Sequence, residues 1–193
     1  LTKEKINVIK NTLINRFSIG IQSFHDDELT FMNRSHNSDE ALHSVRFVQD
    51  AGFDNITIDL IFGIPNSNNE KWQQNIEKAL ALDVPHLSCY ALTIEEKTVF
   101  GNWLKKGQLT VSDDDVVNNQ FKMLMEKTSL SGYEQYEISN YAKPNYRAVH
   151  NTNYWKGNNY LGIGPGAHSY NGESRQFNIA NNPKYIESIK NDK

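Results

Sequence analysis

Between residues 16 and 94 the hydrophobic pattern switches repeatedly between a period of two and one of about 3.6. Residues 16–24, 55–63 and 87–94 read as strands. Between them, Ala41, Leu42, Val45 and Val48 mark one helical stripe, and Trp72, Ile76, Ala79 and Leu80 another. Ser38 is expected to cap the first of these helices and Asn68 or Asn69 the second, with Gly52 and Pro85 closing them. Helices over residues 2–12 and 112–130, the latter capped by Ser112, flank the pattern. Strands joined by single helices require right-handed crossovers and a parallel sheet. Three strands cannot close a barrel of eight. The expected fold class is therefore α/β, a partial TIM-type (β/α) barrel.

Side chains alternate across a strand. In the first strand Phe17, Ile19 and Ile21 oppose Ser18, Gly20 and Gln22; in the second Ile56, Ile58, Leu60 and Phe62 oppose Thr57, Asp59, Ile61 and Gly63. Helices cover the greasy faces, so the small, polar faces are expected to line a lumen with room for a ligand. Asp59 is the sharpest signal, because a carboxylate among apolar neighbours costs several kcal/mol unless it is partnered. By itself it is equally consistent with a structural ion pair.

A net charge of −3 and scattered basic residues give no electrostatic case for nucleic acid. No apolar run approaches the roughly 20 residues that span a bilayer. The single cysteine, Cys89, excludes an internal disulfide or a multi-cysteine metal site in this chain and fits a cytoplasmic location. Glu95 and Glu96 are adjacent on an extended stretch and point apart, so they are no catalytic carboxylate pair. Asp113, Asp114 and Asp115 serve a helix dipole and lack calcium-loop spacing.

The run SIGIQSF at 18–24, Met32-Asn33-Arg34, and GFDNITIDLIFGIP at 52–65 resemble the middle of the radical S-adenosylmethionine (SAM) barrel of the HemN/HemW type. That family comprises oxygen-independent coproporphyrinogen III oxidases and HemW-like haem chaperones. The likeness extends over residues 15–185. It implies that Gln22, Arg34 and Asp59 contact SAM, Arg34 pairing with the methionyl carboxylate, and that Ala91 offers a backbone contact near adenine. His150, Tyr154 and Trp155 match the family's His-Asn-x-x-Tyr-Trp motif, which implies haem, with His150 as an axial ligand and the two aromatics on the macrocycle. Packing of a domain junction is the competing reading of the same residues.

The turn GIGPGAHS at 162–169 has the wrong spacing for a dinucleotide loop and reads as a close backbone approach to a ligand. The resemblance puts it beside the SAM adenine, with His168 counted among the SAM-side candidates and a structural role its main rival. The family's three cluster cysteines have no counterpart here, so the 4Fe-4S ligands are expected outside this chain, which reads as a fragment. Residues 1–110 are expected to be the later part of the barrel and 111–193 an α+β extension, rich in aromatics, asparagine and glycine after Gly132. The implied function is haem chaperoning with SAM, a 4Fe-4S cluster and haem as cofactors, and haem-receiving proteins as partners. Oxidative decarboxylation of coproporphyrinogen III is the alternative.

Overall fold

The computed structural model describes residues 1–191. The chain forms two compact units, divided after Arg147.

The first unit runs α1 (Lys3–Lys10), β1 (Phe17–Gln22), α2 (Asp26–Phe31), α3 (Ser38–Asp50), β2 (Ile56–Phe62), α4 (Asn69–Ala81), β3 (His86–Ala91), α5 (Val99–Lys105), α6 (Asp114–Leu130), β4 (Glu134–Gln135) and β5 (Asn140–Ala142). Strands β1, β2 and β3 are parallel neighbours, as the alternating pattern requires. The sheet continues as β1-β2-β3-β5-β4, the last two antiparallel. The expected partial α/β barrel is therefore present as an open sheet. Its β3 edge is covered by β5, which lies in the α+β region whose strands the sequence reading left without bounds.

The greasy faces pack as expected. Phe17, Ile19, Ile21, Ile56, Ile58, Leu60, Leu87 and Cys89 are buried with Val45 and Val48 of α3, Trp72 and Ile76 of α4, and Leu124 of α6. Burying each such aliphatic side chain contributes about 1.5–3 kcal/mol. Trp72 also donates its indole N–H to the Gln120 carbonyl at 2.9 Å, which fixes α4 to α6.

Several boundaries differ from the sequence reading. Asn37 rather than Ser38 caps α3, in a reciprocal capping box with Glu40. Asp113 rather than Ser112 caps α6; the Ser112 hydroxyl donates instead to the Gly63 carbonyl at 3.0 Å. Asn68 caps α4. Strand β3 ends at Ala91, three residues early, because Leu92 turns to bond the Phe62 carbonyl. Helices α2 and α5 lie outside the elements read from the sequence, being too short for a periodic signal. Helix α6 belongs to the same compact unit and packs on α4 and β2.

The second unit holds α7 (Val149–Trp155), β6 (His168–Tyr170), β7 (Arg175–Phe177) and α8 (Asn182–Lys190). β6 and β7 form an antiparallel hairpin, and Asn181 caps α8.

Candidate functional site

The open face of the first unit's sheet carries the polar half of each strand. Gly20 stands opposite Asp59 in the β1–β2 register, and Asp59 opposite Ser88 in the β2–β3 register. The Ser18 hydroxyl reaches Asp59 Oδ1 at 3.5 Å. The β1–β2 register slips between Gly20 and Gln22, and Gln22 takes a left-handed backbone with φ 71°. This irregularity turns the Gln22 amide back over Gly20. A Cβ built on Gly20 would lie 2.7 Å from Gln22 Nε2 and 3.6 Å from Arg34 Nη2. Gln22, Arg34 and Asp59, three residues singled out in the sequence, therefore gather on one face.

Burial lifts Asp59 above the ordinary carboxylate range, while hydrogen bonds from Ser88 and Ser18 and the charge of Arg16 pull the other way. A half-buried carboxylate without a close ion-pair partner is suited to receive hydroxyl or ammonium groups from a ligand. Ala91 lies on the opposite side with Cys89, Phe62 and Phe121, so only its backbone can serve a ligand on the Asp59 face.

The sequence reading missed much of this face. Arg16 donates to Asn55 Oδ1 at 2.6 Å and to the Thr57 hydroxyl. His86 is 1% exposed; its Nε2 meets the Tyr136 hydroxyl at 2.8 Å, and its Nδ1 has no partner. Burial first, and the Arg16 charge second, push the His86 imidazole down to about 3, so it is neutral. Asn140 Oδ1 lies 2.7 Å from the Ser88 hydroxyl, and Asn140 donates to Glu137. Tyr90 stands exposed in the same row, its phenol raised chiefly by burial. Strand alternation already put Ser88 and Tyr90 together; β5, which supplies Asn140, lies in the α+β region whose individual strands the sequence reading did not delimit.

Behind the upper ends of β1 and β2 lies a second polar cluster, also unforeseen. Glu28 is buried and accepts from Ser23, Ser67 and Asn75 Nδ2, the last at 3.2 Å. Asn75 Oδ1 in turn accepts the Phe24 N–H at 2.7 Å. The cluster pins the β1–α2 and β2–α4 connections to one helix and so sets the height of Gln22 and Gly63.

In the second unit His150 is exposed on α7, its Nε2 3.0 Å from the Tyr154 hydroxyl and its ring edge-on to that of Tyr154. Tyr154 packs edge-on against Tyr160 in turn. Trp155 is 63% exposed. His168 begins β6 with its ring tilted against Phe177 at 5.8 Å. A Cβ on Gly162 would meet the His168 backbone at 2.2 Å, so only glycine fits there. Asn178 Nδ2 donates to the carbonyls of Gly162 at 3.2 Å and Gly164 at 2.9 Å, shaping the glycine-rich turn.

The donors on the Asp59 face fit a zwitterionic ligand rich in hydroxyls. The chain's own residues do not fit an iron–sulfur cluster: the one cysteine is buried, and burial drives its thiol strongly upward. No group of three or more His, Cys, Asp and Glu side chains suited to a metal occurs among the described residues. Among those residues no helix is long and apolar enough to cross a membrane.

The first unit is an α/β scaffold whose parallel strands carry one polar face, and residues 1–79 match the model of the Radical SAM superfamily. The chain is 38% identical over 189 residues to the haem chaperone HemW of Bacillus subtilis, an alignment spanning 98% of this chain and 50% of that protein. It is 39% identical over 155 residues to HemW of Escherichia coli, covering 80% of this chain and 40% of that one. Its fold matches the coproporphyrinogen III oxidase HemN of Escherichia coli with a TM-score of 0.78 at 18% identity, over 98% of this chain and 46% of that chain. Over nearly its whole length the chain is similar to HemW-type proteins of the radical SAM superfamily, and its fold is that of HemN. It spans about half the length of the curated relatives it matches.

Proposed function

We propose that this chain is part of a HemW-like haem chaperone, with residues 1–110 the barrel-derived portion and 111–193 the extension. The observation that carries the SAM half of the reading is the convergence of the Gln22 amide, the Arg34 guanidinium and the Asp59 carboxylate on one sheet face. Arg34 pairs with the methionyl carboxylate, and Asp59 and Gln22 hold hydroxyl or ammonium groups. The backbone at Ala91 offers the contact on the adenine side. Bound to a 4Fe-4S cluster whose ligands lie outside this chain, SAM supplies one-electron chemistry.

The haem half rests on His150, Tyr154 and Trp155, which place an imidazole and exposed aromatic area on one short helix. The Tyr154 hydroxyl orients the His150 ring, the usual service of a partner to a metal-binding histidine. Haem is the cargo, haem-receiving proteins are the partners, and the setting is the cytoplasm. Oxidative decarboxylation of coproporphyrinogen III is the second reading, favoured by the fold shared with HemN.

The tests use the protein at the full length of its relatives, with its cluster reconstituted. Asp59→Ala weakens SAM binding by about 1–3 kcal/mol in equilibrium dialysis, the scale for removing a partner of a buried polar group; unchanged affinity refutes the assignment. His150→Ala lowers the haem titration amplitude at the Soret band while coproporphyrinogen decarboxylation stays at background. Robust decarboxylation by the unmodified protein establishes the second reading instead.

A further inference from the structure

Gly20 contacts no ligand side chain of its own, yet both donor arms of the site lie over it. Gln22 Nε2 sits 2.7 Å from where a Cβ at residue 20 would be, closer than real Cβ contacts allow, and Arg34 Nη2 sits 3.6 Å from the same point. Gly20 has no positive φ, so its backbone suits any residue. The reason for glycine at this position is space.

Two further features aim the amide into that space. The first is the left-handed backbone of Gln22, a conformation uncommon for a residue with a side chain. It accompanies the slip in the β1–β2 register. The second is His36, whose Nε2 donates to the Ile21 carbonyl at 3.0 Å, fixing the peptide that enters Gln22. His36 is two residues from Arg34 in the same connection, so one hydrogen bond docks the Arg34 loop onto the β1 irregularity.

We infer that Gly20 and His36 are positioning residues: the missing side chain at 20 and the His36 clamp on Ile21 hold the Gln22 amide and the Arg34 guanidinium as a single two-armed grip for the polar end of a SAM-like ligand. This rests on the reading that Gln22, Arg34 and Asp59 hold SAM. The nearest obstacle to a methyl group at residue 20 is the far end of a flexible side chain, not backbone, so alanine there displaces the amide and leaves the sheet intact. Gly162 and Gly101 are the opposite case, because their added Cβ would strike backbone at 2.2 and 2.3 Å.

The experiment is a double-mutant cycle on SAM affinity in the full-length, cluster-reconstituted protein, with thermal unfolding measured alongside. Gly20→Ala and Gln22→Ala each weaken binding about tenfold, and the double variant also about tenfold rather than a hundredfold, because both remove the same contact. The unfolding temperature of Gly20→Ala stays at or above that of the parent. His36→Ala behaves like Gly20→Ala in the same cycle. Losses that multiply, or a Gly20→Ala variant that binds SAM normally, overturn the inference. Asp59→Ala separates the two levels of the argument. If it leaves SAM affinity unchanged, the ligand reading itself fails; if it weakens binding while Gly20→Ala does not, only the positioning roles fail.

Discussion

The two compact units reach their shapes by different physics. The first buries a continuous set of side chains, with Trp72, Tyr141, Ile58 and Leu60 almost wholly enclosed. In the second, no described residue is buried, and Leu161, Ile163 and Phe177 are more than three-quarters exposed. Its order comes from hydrogen-bonded turns: the paired Tyr160 and Tyr170 backbones at 2.9 Å, the Asn178 bonds to two glycine carbonyls, and the close approach at Gly162. A buried core makes a unit cooperative, because each side chain touches many others. A lattice of local turns fails one turn at a time. The first unit can thus afford an open polar face, while the second presents apolar surface without being held together by it.

This contrast can be broken most directly at Trp72. Trp72→Ala should cost about 3–5 kcal/mol in urea unfolding, by loss of burial and of the bond to Gln120. A cost under about 1 kcal/mol would deny the first unit its cooperative core. Next in size, Asn75→Ala leaves the Phe24 N–H without a partner, takes one of its donors from Glu28 and should cost about 1–3 kcal/mol. An unchanged midpoint would mean that water replaces the amide without loss.

Asn178→Ala probes the second unit. Amide exchange should accelerate at the turn around residues 162–167, while global stability falls by less than about 1 kcal/mol. Exchange that quickens across both units would show that they unfold as one.

The smallest effects concern titration. His86 is held neutral, its value lowered from 6.5 to about 3, so the native state binds fewer protons than the unfolded chain in that window. Its contribution is complete above pH 6.5 and is lost as pH falls toward 3, and His86→Phe should flatten that slope. Asp59 has the reverse sign. Its carboxyl is raised, so stability declines as pH climbs above the unfolded carboxylate value of 3.8. Asp59→Asn should therefore raise the melting temperature at neutral pH while harming ligand binding. A melting temperature that drops instead would mark Asp59 as a structural partner.

Much of the first unit was legible because strand and helix periods are carried by the residues themselves. Ile56, Ile58 and Leu60 alternate with Thr57, Asp59 and Ile61, and the sheet obeys that alternation. The gathering of Gln22, Arg34 and Asp59 was foreseen only in part. Alternation put Gln22 on the Asp59 face, and the side chain does lie there, but by way of a register slip and a left-handed backbone that strict alternation does not contain. Strand β5 escaped because three residues carry no period. The Glu28 cluster escaped because Ser23, Ser67 and Asn75 are remote in sequence and meet only in the fold.

The Asn75 amide has one further consequence. Both its ends are committed, one accepting from a backbone N–H and the other donating to a carboxylate. Exchanging that amide for an aspartate changes one atom and almost no volume. It also sets a second carboxyl against that of Glu28 in a place without solvent, where two like charges would repel most strongly. At this position, a replacement that substitution tables score as mild would force one of the two carboxyls to hold a proton, and the packing of the β1–α2 and β2–α4 connections would come to depend on it.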